Sequence, residues 1–151
     1  MSDPLYDSRT ARFDLPLLFA GQAQKEGFVN ETTARIDTLL HGAIEGEMAA
    51  PPAAPADGQA WLVAAGASGA WLGQAGKLAA RQSGNWLFVT PRDGMKLLNR
   101  ASGQEMRYAG SWKSAGRPAL PSGGATIDAE ARSAIAAVLA ALTTAGIVPA
   151  A

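Results

Sequence analysis

The stretch KLAARQSGNWLFVTPRDGMKLLN (Lys77–Asn99) decides how this chain folds. Short runs rich in Leu, Phe, Val and Trp are cut by two turns, Gln82-Ser83-Gly84 and Arg92-Asp93-Gly94. Runs this short between turn residues predict strands, and tight turns join strands antiparallel, since parallel pairs need long crossovers. The pattern extends from Gly58 to about Lys113. Strands are predicted over 59–65, 77–81, 85–91, 95–99 and 105–109, with further turns at 66–69 and 101–103. Met106 and Tyr108 alternate with Glu105 and Arg107, which places the two pairs on opposite faces.

Working outward, the chain divides into an extended arm and helix (1–48), a Pro-rich linker (49–57), the β-module (58–113), a second linker (114–125) and a C-terminal helix (126–151). The fold class is therefore α+β, with a small antiparallel module of meander or sandwich type between two helices. In the arm, Pro16 within Leu15-Pro16-Leu17-Leu18-Phe19 argues for extended chain docked on a neighbour rather than a helix. The first helix is predicted from an Asn30 N-cap to about Glu45, with Ile36, Leu39, Leu40 and Ala43 as its apolar stripe. The last begins at Asp128 and runs to Ala145 before Gly146. Its narrow stripe includes Ile135, Val138, Leu139 and Leu142. Both stripes are predicted contacts with another copy of the chain.

Three phrases place an indole just behind a glycine: Gly69-Ala70-Trp71, Gly84-Asn85-Trp86 and Gly110-Ser111-Trp112. Trp61 and Trp86 adjoin apolar strand residues and read as core. Trp71 and Trp112, flanked by Gly, Ser, Lys and Gln, stay open between core and display, with Trp112 the best single candidate for an exposed contact. An aromatic face suits the C–H face of a sugar. Trp71, Trp86, Tyr108 and Trp112 are thus the candidate glycan-binding residues.

Composition narrows the function classes. Alanine supplies 33 of the 151 residues and larger apolar side chains only 39, so the core is small and neighbouring subunits are expected to contribute stability. Thirteen basic residues balance thirteen acidic ones, giving no broad cationic footprint for nucleic acid and no polybasic membrane segment. No stretch approaches the ~20 apolar residues that span a bilayer, and Met1-Ser2-Asp3-Pro4 lacks the form of a signal peptide. Synthesis in the bacterial cytoplasm without membrane insertion is expected.

Chemistry is sparse. With no cysteine and a single histidine, His41, the chain cannot assemble a zinc site, and His41 lies beside no nucleophile motif. Asp57 and Asp93 read as turn formers and Glu105 as an exposed strand residue, not as a glycosidase pair. No phosphate-loop motif occurs. No enzymatic activity, cofactor or metal is expected.

The run LPLLFAGQAQKEGFVNETTARIDTLL (Leu15 to Leu40) resembles the opening of a family of tail-fibre-like virion proteins in alphaproteobacterial phages and gene transfer agents. Leu15, Pro16, Gly21, Gln22, Gln24, Lys25, Asn30 and Glu31 match its signature. Pro51, Pro52, Pro55, Gly69, Trp71, Gly73, Trp86, Gly110 and Trp112 continue the resemblance to about residue 113. The family often carries a histidine-containing stretch where this chain has Gly27-Phe28-Val29. The resemblance implies a particle protein of tail-fibre or receptor-binding type that assembles as a homotrimer, contacts other particle proteins and adsorbs to a host-surface polysaccharide. A pure assembly, adaptor or decoration subunit is the alternative. It supplies no catalytic or ligand residues.

Overall fold

A computed structural model describes residues 9–18 and 25–150 of the chain. The signature residues Gly21, Gln22 and Gln24 lie outside the described residues. Two helices flank eight short strands, an α+β arrangement. The chain separates into two compact units between Pro91 and Arg92. The residues expected to form one β-module are therefore shared between two sheets. Pro91, with no N–H to donate, stands at the break.

In the first unit, α1 spans Glu26–Leu39, followed by two-residue strands β1 (Ala43–Ile44) and β2 (Glu47–Met48). Then come β3 (Ala60–Val63), β4 (Leu78–Gln82) and β5 (Asn85–Val89). The sheet order is β2-β3-β4-β5. The β4–β5 hairpin closes through Ser83 (φ 48°) and Gly84 (φ 75°). A two-residue loop with both φ positive matches the right-handed twist of paired strands. The one departure from antiparallel order is β2 on β3, Glu47 opposite Leu62, which the intervening Pro-rich segment makes possible as a crossover.

Trp61, Val63, Trp71 and Ala79 form the buried cluster of this unit, with Trp86 and Phe88 packed partly against it. The three indoles meet tilted or edge-on, with Trp71–Trp86 centroids 5.1 Å apart at 82°. Edge-to-face contact aligns the positive ring edge with the negative ring face.

Helix α1 corrects two expectations. It begins four residues before Asn30, with Lys25 at the N-cap position, and it ends at Leu39, so Ala43 and Ile44 belong to a strand. Its docked face is the polar one: Ala34, Asp37 and Thr38 are buried, whereas Phe28 (81% exposed), Val29, Ile36 (51%), Leu39 and Leu40 face outward. The arm, expected on a neighbour, instead turns back on this helix. Leu18 N–H donates to Asn30 Oδ1 (2.7 Å) and Asn30 Nδ2 donates to Leu18 O (2.9 Å). Asp37, 1% exposed, accepts from Thr10 Oγ1 (2.6 Å), Arg12 N–H (3.1 Å) and Phe13 N–H (2.7 Å). Arg12 in turn donates to the carbonyls of Asp37, Thr38 and His41, satisfying groups that the helix end leaves without partners.

In the second unit, β6 (Lys96–Asn99), β7 (Gln104–Tyr108) and β8 (Trp112–Lys113) pair antiparallel. Helix α2 spans Ala129–Thr144, and Asp128 caps it by accepting from Ala131 N–H at 2.8 Å. At its other end Ile147 N–H donates to Leu142 O and Gly146 N–H to Thr143 O, the Schellman pattern with glycine at φ 70°.

Candidate functional site

The tight Ser83-Gly84 turn brings Gln82 and Asn85 side by side at the end of the β4–β5 hairpin, with Trp86 next in line. Helix α1 presents Asn30 and Glu31 to the same place, and the arm contributes Leu17. Together these residues line a cleft of about 400 Å³. The two Asn30 bonds to Leu18 fix the arm and therefore Leu17. Glu31 is held by Arg35, whose Nη2 donates to its Oε1 at 2.7 Å. Arg35 Nη1 also donates to Phe88 O (3.1 Å), which ties α1 to β5.

Trp86 is half-buried. Its ring meets Trp61 and Trp71 edge-on and lies under the Arg81 guanidinium, whose carbon is 5.2 Å from the centroid. That packing orients the indole without enclosing it. The Gln82 side-chain amide has no partner among the described residues. Asn85 donates to Ser83 O (3.0 Å) and keeps its carbonyl oxygen available. An apolar ring rimmed by amides and one carboxylate is suited to a polyhydroxylated ligand, whose C–H face meets the indole while its hydroxyls meet the polar rim. Glu31 is the one carboxylate among the described residues that line the cleft.

The four candidate aromatic residues do not converge. Trp71 is 0% exposed, which corrects its assignment to glycan contact: its ring is core and offers no face to solvent. Trp112 is half-buried rather than displayed. It pairs with Tyr108 across β7 and β8, ring centroids 5.2 Å apart at 70°, and its indole N–H is buried without an acceptor among the described residues. Trp86, which reads as core from its strand neighbours, is the one that reaches the cleft. The missed partners are Gln82, Asn85, Asn30 and Glu31. A GxW phrase cannot disclose them, because they come from the far side of a hairpin and from a helix.

The predicted subunit contacts divide similarly. Ile36, Leu39 and Leu40 face outward on α1. On α2, Ile135 and Val138 (58%) are exposed, but Leu139 is 5% exposed and Leu142 half-buried, so Leu139 is not available to a second chain. Among the described residues no group of three or more His, Asp or Glu could hold a metal, and no helix is long and apolar enough to cross a membrane.

No curated protein matches the chain. The model of a family described as "Protein of unknown function (DUF2793)" matches residues 29–113. The matched span covers more than half of the 151 residues and takes in every cleft residue named above except Leu17. The chain belongs to the DUF2793 family.

Proposed function

We propose that this protein is a structural component of a phage or phage-like particle, of tail-fibre or receptor-binding type, that contacts a host-surface glycan through the Trp86 cleft. The observation that carries this reading is the cleft itself: a partly open indole with an unpaired amide at Gln82 and an open carbonyl at Asn85. The resemblance of Leu15–Leu40 to virion proteins supports the particle setting. Losing an aromatic face that a ligand buries removes about 1.5–3 kcal/mol, roughly a 10- to 150-fold loss of affinity. Trp86→Ala is expected to weaken adsorption to host cells, and binding of their purified surface polysaccharide, by that factor. Because Trp86 also packs on the core, Gln82→Ala serves as a gentler variant with a smaller loss in the same direction. Folded forms of both variants that bind as the wild type does would refute the assignment.

The outward apolar faces of α1 and α2 support assembly, as a homotrimer or against other particle proteins. They equally favour the reading of an adaptor that binds no receptor. Phe28, Val29, Ile36 and Leu39 are exposed on α1 and Leu40 just beyond it, and clustered exposed apolar side chains mark interaction surfaces. The expected solution mass by light scattering is three times that of the chain. Ile36→Asp combined with Val138→Asp is expected to return it to one. A wild-type monomer would exclude self-assembly through these faces.

A further inference from the structure

Across the second unit's sheet, Lys96 on β6 stands opposite Arg107 on β7, and Arg107 stands opposite Lys113 on β8. Directly opposed residues share a face, and neighbouring strands lie about 4.8 Å apart. Three cations therefore occupy one row roughly 10 Å long. Like charges in opposed positions repel and weaken a sheet, so the row works against the strands that carry it. Only Lys96 has a counter-charge, Glu105 Oε2 at 3.7 Å, and that pair is well exposed. Neither Arg107 nor Lys113 has an ion-pair partner among the described residues.

The row lines a cleft of about 390 Å³ whose other walls include Ala115 and Ile147. Those walls are fixed in place. Gln104, buried on the opposite face of β7, donates from Nε2 to Ala115 O (2.7 Å) and to Ile147 O (3.1 Å), and Glu105 N–H donates to Gly146 O (2.8 Å). Arg117 adds bonds to Thr143 Oγ1 and Pro149 O, holding the linker to the segment after α2. A chain of zero net formal charge thus gathers three cations and one carboxylate around a hydrogen-bonded hollow.

We propose that this hollow binds an oxyanion, a carboxylate or a phosphate, borne on an acidic saccharide. Arg107 supplies a planar fork that can pair two oxygens, with Lys113 and Lys96 as flanking point charges. The apolar wall accommodates the C–H face of the ring that carries the charge. Nucleic acid fits less well, since a duplex backbone is held by many phosphate contacts along a broad basic track, and Glu105 interrupts this short one. The site is separate from the Trp86 cleft and stands whether or not that cleft takes a neutral sugar.

The test is calorimetric titration of the full chain with four probes: trigalacturonate, glucose 6-phosphate, maltotriose and a ten-residue oligothymidylate. Binding of trigalacturonate or glucose 6-phosphate that weakens as salt is raised is expected, and which one binds identifies the oxyanion. Arg107→Ala with Lys113→Ala should lower that affinity about tenfold or more. Both side chains are exposed, so circular dichroism should show the fold retained. Trp86→Ala should leave binding of the acidic probe unchanged, which separates this site from the other. Binding of neither acidic probe, tighter binding of the oligothymidylate, or an unchanged affinity for the acidic probe in the folded double variant would each overturn the proposal.

Discussion

Trp71→Ala is expected to destabilise the unit formed by residues up to Pro91 by about 3–5 kcal/mol, the range for truncating a fully buried tryptophan. The indole is one of three in mutual contact, edge-on to Trp86 and tilted against Trp61 at 6.2 Å. It arrives there through a tight 3-10 turn over Gly69–Trp71. The turn is anchored by Ser68 N–H donating to Ala49 O (2.9 Å) and entered through Gly69 at φ 58°. The neighbours of the vacated space are a short sheet and two large rings, which cannot collapse to fill it without losing their own contacts. Total stability of a small domain is about 5–15 kcal/mol, so the loss is a large share of it. Urea titration followed by far-ultraviolet circular dichroism measures the change. Trp71→Phe, which keeps a ring in place, is expected to lose less than Ala. A loss below about 1 kcal/mol for Trp71→Ala would mean the cluster is not the core.

The distinction between Trp71 and Trp86 shows where a sequence stops being legible. Both follow a glycine by two positions, and strand periodicity places each within a residue or two of a turn. Trp86 has the apolar flank Leu87-Phe88-Val89, and Trp71 has Gly, Leu and Gln around it. Local polarity therefore suggests the reverse of what is found. Burial depends on which element lies across the sheet: a short helical turn folds Trp71 inward, while the hairpin leaves Trp86 at the edge of a cleft.

The strands were readable because turn chemistry is local. Ser83-Gly84 and Gly103 take positive φ where the turn requires it, and β4 to β7 fall within a residue or two of the predicted bounds. Helix α2 was readable for the same reason, since Asp128 and Gly146 cap it by contacts inside a few residues. Helix α1 was not. It starts at Glu26 because the Asn30 side chain is committed to Leu18 of the arm rather than to capping the helix, and nothing local in the sequence reports that contact. The row of cations was equally hidden, since Lys96, Arg107 and Lys113 become neighbours only once the register is set.

The arm–helix junction yields the second large effect. Asp37→Ala is expected to cost about 3 kcal/mol, because it leaves Thr10 Oγ1 and the Arg12 and Phe13 amides without an acceptor, and orphaned buried donors cost roughly 1–3 kcal/mol each before relaxation. Asp37→Asn is a sharper probe. It keeps the shape and one acceptor but turns an N–H₂ toward groups that are themselves donors. A cycle with Thr10→Val isolates one of the three bonds: the two changes should be less than additive, with a coupling of about 1 kcal/mol or more. Hydrogen exchange gives an independent readout. In Asp37→Ala the amides of Arg12 and Phe13 should lose protection while those of β3 to β5 keep theirs, since the sheet has its own indole core. Because the same arm carries Leu17 to the cleft, ligand binding at Trp86 should weaken along with the arm. Full protection of Arg12 and Phe13 in the variant would show that the arm is held by something other than this carboxylate.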